Sequence, residues 1–232
     1  MKDTCNMTPA ERVAAIEAAL RPLADPVKAL EMRAYLKDQF GFLGLAAPVR
    51  RQAVKALGLA RMHHADELLD TARLLWALPE REFRYTAVDL LRQQSKCLRP
   101  WHLPQIQTLM QQDAWWETVD SLSAVVGDVL HAARGSADDP QTFMDAWVQD
   151  ADYWLRRCAM IHQLGWREDT DLARLHAYAL RLAPEKEFFI RKAIGWAFRD
   201  LARWDPDGVR SFLNGHRAQF SGLTLREALK HL

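Results

Sequence analysis

Four short segments, each built on an aromatic residue and recurring at nearly constant spacing, constrain this chain more than any other feature. Glu82-Phe83-Arg84-Tyr85-Thr86-Ala87, Trp115-Trp116-Glu117-Thr118-Val119-Asp120, Tyr153-Trp154-Leu155-Arg156-Arg157-Cys158 and Phe188-Phe189-Ile190-Arg191-Lys192-Ala193 align on a shared aromatic. Phe83, Trp116, Trp154 and Phe189 are 33, 38 and 35 residues apart. A period of roughly 35 to 47 residues belongs to two-helix repeats, whose units bury their apolar faces only by stacking on one another.

The punctuation between the segments is helical. Thr8-Pro9-Ala10-Glu11 carries an N-cap, a proline at the first helical position and an acid at the third, which predicts a helix running to about Leu20. Asp25-Pro26, Leu78-Pro79-Glu80, Asp139-Pro140, Ala183-Pro184-Glu185 and Asp205-Pro206 each stand ahead of an amphipathic stretch of about 10 to 18 residues. Apolar residues recur at helical spacing in Ala29-Met32-Tyr35-Leu36-Phe40, Ala87-Leu90-Leu91 and Ile190-Ala193-Ile194-Ala197, and no alternating β-branched run appears. The expected fold is all-α, a HEAT-like helical-repeat solenoid with a concave face. Gly41-Phe42-Leu43-Gly44 and Gly135-Ser136-Ala137 read as loops too short to be linkers, so one domain over residues 1–232 is expected.

Charge limits what such a surface binds. The net charge is only +1, so a nucleic-acid face would require cations segregated onto one side. The 31 basic residues divide into 23 Arg and 8 Lys, a bias that suits bidentate phosphate binding. Cys5, Cys97 and Cys158 are odd in number and lack metal-ligand spacing, so they read as reduced thiols, and no metal or cofactor is expected. His63-His64 likewise has no partner at ligand spacing. Met1 to Ala19 carries Asp3, Glu11, Arg12 and Glu17 where a signal peptide would be apolar, and no run of about 18 apolar residues follows. A cytoplasmic monomer without membrane contact is expected.

Within a helix, Trp116 and Asp120 form an i, i+4 pair, so an indole and a carboxylate share one face. On the shared-aromatic alignment, the other repeats place Ala87, Cys158 and Ala193 where this one has Asp120. An acid there is costly unless used or paired. One position earlier, Arg157 and Lys192 coincide, a row of two cations on which a phosphate backbone could lie.

These stretches, with Tyr35-Leu36-Lys37, Phe42-Leu43-Gly44, Pro48-Val49-Arg50-Arg51, Trp76 to Phe83 and Glu187 to Trp196, give a sequence that resembles the AlkD family of DNA alkylation repair glycosylases, from about Lys28 to near the C-terminus. The resemblance implies that Trp116 and Trp196 are the two site indoles, Asp120 the catalytic carboxylate, Arg157 the arginine beside them and Tyr35 an aromatic from the N-terminal repeats. It implies double-stranded DNA bearing alkylated bases as partner. Ala46 departs from the family, where a glutamine approaches DNA. Arg50 and Arg51 lie close to a helix start and are candidate DNA contacts or solvated surface. Arg157 either clamps a phosphate or pairs with an acid such as Asp120 or Asp152. Trp115 reads as packing, as do Trp76, Trp101, Trp147, Trp166 and Trp204.

The chemistry implied is hydrolysis of the N-glycosidic bond of cationic N3-alkyladenine or N7-alkylguanine, without general acid, Schiff-base lysine or enclosure of a flipped base. The alternatives are a non-catalytic HEAT-like module that binds branched or distorted DNA, and a protein-binding solenoid with an apolar groove.

Overall fold

The computed structural model describes residues 7–136 and 139–232. Expectations placed on Cys5, on the rest of the stretch before Met7 and on Ala137 lie outside these residues. The described residues are helical and carry no strand; a single isolated bridge joins Gly41 to Glu80. The all-α expectation therefore holds. None of the described helices is long and apolar enough to cross a membrane.

The chain forms two compact units, the first ending at Leu98 and the second beginning at Arg99. The first contains α1 (Pro9–Leu20), α2 (Pro26–Tyr35), α3 (Ala47–Ala56), α4 (Ala65–Trp76) and α5 (Arg81–Gln93). The capping box at the head of α1 forms as the sequence predicts: Glu11 N–H donates to Thr8 Oγ1 at 3.3 Å, and Thr8 N–H donates to Glu11 Oε2 at 2.9 Å. Helices α1, α4 and α5 pack in succession, with Ile16, Leu20, Leu68, Ala72, Leu75, Phe83 and Leu91 fully buried between them. Each large apolar side chain removed from water in this way contributes about 1.5–3 kcal/mol.

Two features of this unit depart from helical periodicity. The stripe expected to run from Ala29 to Phe40 is cut at Tyr35, because Lys37 and Asp38 adopt φ of 61° and 58°. Phe40 instead lies under the Arg81 guanidinium, 3.7 Å from ring centroid to Cζ. The Gly41 to Gly44 loop is held by Glu82 from the first turn of α5. Its buried carboxylate accepts the backbone N–H groups of Leu43, Gly44 and Leu45 at 2.9, 2.8 and 3.0 Å, which replaces the hydration that burial removes.

The second unit contains α6 (Leu103–Gln111), α7 (Trp116–Ala132), α8 (Thr142–Trp147), α9 (Tyr153–Ile161), α10 (Leu172–Leu182), α11 (Phe188–Leu201), α12 (Pro206–Gly215) and α13 (Gly222–Ala228). Helices α7, α9, α11 and α13 lie against one another in that order, while α6, α8, α10 and α12 each pack on a member of that row. The segment after Asp139-Pro140 is shorter than the 10 to 18 residues expected. Helix α8 spans six residues and stops before Asp150 and Asp152, whose side chains accept backbone N–H groups to turn the chain into α9.

Candidate active site

Counting from the residue that caps each helix corrects the repeat register. The N-caps of α7, α9 and α11 are Trp115, Asp152 and Glu187. Three places on stand Thr118, Leu155 and Ile190, and seven places on stand Leu122, Ala159 and Ile194, all of them buried. Five places on stand Asp120, Arg157 and Lys192. The acid therefore does not occupy the site of Cys158 and Ala193, as alignment on Trp116 implies; it belongs to the row that carries the cations. The double tryptophan explains the slip of one residue. The side chain that meets Trp154 and Phe189 is Trp115, edge-on to both with centroids 6.0 and 5.6 Å apart. Trp115 is thus packing, as expected, and Trp116 begins the helix on the face of Asp120.

The shared row brings Asp120 and Arg157 into direct contact. Arg157 Nε and Nη2 donate to Asp120 Oδ1 and Oδ2 at 2.6 and 2.8 Å, a bidentate pair, and Nη1 donates to the Phe189 carbonyl. The Arg157 side chain is only 1% exposed and that of Asp120 21%. A guanidinium this enclosed has its donors committed, whereas the carboxylate keeps an edge toward solvent. Of the two roles left open for Arg157, pairing with Asp120 is the one observed.

Trp196 completes the group from α11. The Arg157 guanidinium carbon lies 5.0 Å from its ring centroid, Lys192 Nζ 5.3 Å and the Arg199 guanidinium carbon 5.8 Å. All three fall within the range in which a cation feels the indole quadrupole. The indole Nε1–H donates to Glu227 Oε2 at 3.1 Å. Glu227 also accepts from Arg199 Nη1 at 2.7 Å and pairs with Lys192 Nζ at 3.4 Å. Burial pushes the Glu227 carboxyl up, but Lys192, the Trp196 hydrogen bond and Arg199 outweigh it and hold the carboxyl below its ordinary value.

Glu227 reaches this position because α13 presses onto α11 at Gly195. A Cβ at Gly195 would stand 2.5 Å from Glu227 Cβ and 2.9 Å from the Thr224 carbonyl. Glu227 and Arg199 were missed by sequence reasoning. Neither belongs to a spaced motif, and the contact depends on how closely two helices approach.

The remaining candidates belong to the first unit. Tyr35 ends α2 and is 71% exposed. Arg50 and Arg51 are adjacent on α3 but differ in burial, with side-chain exposures of 4% and 60%. Arg50 Nη1 is 2.9 Å from Asp89 Oδ2 and 3.1 Å from Thr86 Oγ1, and burial depresses its pKa more than Asp89 restores it. Arg51 forms a bidentate pair with the same carboxylate at 2.9 and 3.1 Å. Both arginines line a cleft of about 540 Å³ with Lys55, Arg61 and Gln94. Ala46, where the family resemblance breaks, is the exposed N-cap of α3 and has no side-chain cap bond. No group of three or more His, Cys, Asp or Glu among the described residues could hold a metal ion.

The arrangement offers a carboxylate fixed by a buried arginine that lies against the Trp196 indole, with further cations on the flank. That combination suits a ligand that carries positive charge at one atom and negative charge nearby. Among curated proteins no match is found. A solved structure described as a predicted DNA alkylation repair enzyme from Enterococcus faecalis is similar, with a TM-score of 0.81 and 28% identity, covering 90% of this chain and 96% of that one. The family model for DNA alkylation repair enzymes matches residues 16–232. The chain belongs to the DNA alkylation repair enzyme family.

Proposed function

We propose that this protein is a monofunctional DNA glycosylase that hydrolyses the N-glycosidic bond of cationic alkylated purines, N3-alkyladenine and N7-alkylguanine, in duplex DNA. The observation that carries the reading is the Asp120 carboxylate, one helical turn from Trp116 and locked by Arg157, whose guanidinium carbon lies 5.0 Å from the Trp196 ring centroid. Alkylation at N3 or N7 leaves the purine positively charged, so it departs as a neutral base with the bonding electron pair and requires no general acid. The sugar left behind is oxocarbenium-like. The indole faces of Trp116 and Trp196 attract that charge by about 0.5–2 kcal/mol, and Asp120 supplies a fixed counter-charge. Water adds to C1′ and passes its proton toward Asp120, leaving an abasic sugar.

Arg157 acts here by orienting Asp120. Its burial argues against a phosphate contact, and Lys192 and Arg51, both more exposed, are better placed to meet the DNA backbone in the unit each belongs to. Arg50 supports Asp89 and through it Arg51. Tyr35 offers an exposed ring to DNA. The row α7, α9, α11 and α13 of the second unit, backed by alternate helices, supports the HEAT-like reading. The protein works as a cytoplasmic monomer without metal or cofactor, and the base is left unenclosed.

One observation favours the non-catalytic reading. A carboxylate engaged at both oxygens by a buried guanidinium is also what a structural ion pair looks like. Duplex DNA containing N7-methylguanine, incubated with wild type and with Asp120→Asn shown to be folded, separates the two. Free-base release by wild type and its loss in the variant are expected. Equal release by both would remove Asp120 from the chemistry, and tight binding without release by wild type would establish the binding module.

A further inference from the structure

We propose that Glu227, on α13, is a positioning residue for Trp196, fixing the indole by its N–H while neutralising the two cations beside it; this rests on the glycosylase reading above. An indole on a partly exposed helix face rotates about its broad χ2 well unless its polar edge is held. Trp196 Nε1–H is held, at 3.1 Å from Glu227 Oε2. The carboxylate is itself held by Arg199 at 2.7 Å, by Lys192 at 3.4 Å and by the contact of its Cβ with the backbone around Gly195. The start of α13 is pinned as well, because Thr224 Oγ1 donates to the Arg191 carbonyl at 3.1 Å. The result is a ring plane set by two packed helices.

Charge gives Glu227 a second effect. Arg157, Lys192 and Arg199 all lie within 5.8 Å of the Trp196 centroid. Three uncompensated cations around an indole would repel an oxocarbenium and attract a phosphate. Asp120 answers Arg157, and Glu227 answers the other two. The pair of carboxylates thereby leaves the indole face fit for a cation. Without Glu227, the same face becomes better at holding DNA and worse at breaking the bond.

The test uses the full chain and two substitutions. Glu227→Ala removes acceptor and charge; Glu227→Gln keeps an acceptor for the indole and removes only the charge. The Trp196 indole N–H is identified in a proton–nitrogen correlation spectrum by its loss in Trp196→Phe. It is expected to move in Glu227→Ala and to stay near its wild-type position in Glu227→Gln. Single-turnover release of N7-methylguanine from duplex DNA should fall about tenfold or more in Glu227→Ala, the scale seen when a residue supporting a site is removed, and by less in Glu227→Gln. Affinity for undamaged duplex should stay level or rise in both variants. A merely structural role would instead lower release and affinity together. An unmoved indole signal, unchanged release, or parallel loss of both properties overturns the proposal. If wild type releases no base, the glycosylase reading fails, and the indole signal and duplex affinity still decide whether Glu227 holds Trp196 and balances its neighbours.

Discussion

The Asp120–Arg157 pair should fail asymmetrically, and the asymmetry follows from burial. Arg157 is 1% exposed and donates to both Asp120 oxygens as well as to the Phe189 carbonyl. Asp120→Asn leaves that guanidinium in place with no counter-charge and one acceptor fewer. Removing one partner of a buried pair costs about 3–5 kcal/mol, and the surviving amide oxygen places this case near the lower end, about 3 kcal/mol. Arg157→Met is milder. Methionine keeps part of the packing of the arginine stem, and the released carboxylate, 21% exposed, recovers water. A cost of about 1–2 kcal/mol is expected. The double variant should cost about 2 kcal/mol, leaving a coupling energy of about 2–3 kcal/mol. Eight of the nine tryptophans lie from Trp101 onward, so urea unfolding followed by tryptophan fluorescence reports on the second unit. A cost for Arg157→Met equal to or above that for Asp120→Asn, or a coupling energy below about 0.5 kcal/mol, would refute the reasoning. The result also bears on any activity assay with Asp120→Asn, because lost turnover counts only in the folded fraction.

Two further perturbations test the packing around the site. A Cβ at Gly127 would fall 2.1 Å from the His162 carbonyl, where α7 meets the end of α9, so Gly127→Ala should destabilise the second unit by about 3 kcal/mol; wild-type stability in the same unfolding assay would contradict this contact. His162 is buried, its Nδ1 2.8 Å from the Ala159 carbonyl and its Nε2 2.9 Å from the Gln141 side-chain amide, and burial lowers its pKa to about 4. Because the folded value lies below the unfolded one, this contribution is complete above about pH 6.5 and is lost as pH falls toward 4, at most about 3 kcal/mol. Unfolding free energies measured across that window should fall more steeply for wild type than for His162→Gln; parallel curves would show that the ring protonates within the fold.

Local signals in the sequence were enough for the helices. A capping box, a proline at the first turn and a 3.6-residue apolar period act within one or two turns, and they placed the starts of α1, α2 and α12 correctly. They failed where the deciding group is distant. Nothing in residues 29–40 announces that α2 ends at Tyr35, and the loop that follows is organised by Glu82, about 40 positions along the chain.

The same division runs through the site. Trp116 and Asp120 share a helix, so their common face is a consequence of covalent spacing and was visible from the sequence alone. The family, and with it Trp196 and Arg157 as candidate site residues, could also be read from motifs spread along the chain. The pairing of Asp120 with Arg157 stood among the options but could not be chosen, because the repeat register depends on which tryptophan of an adjacent pair packs against Trp154 and Phe189. Nor could the difference between Arg50 and Arg51, since neighbours on a helix point about 100° apart and only the packed core decides which is enclosed. Glu227 is the extreme case, a glutamate in no motif that meets Trp196 solely because Gly195 lets α13 come close. Spacing along one helix is set by the backbone, and contact between helices is set by the side chains that happen to be small.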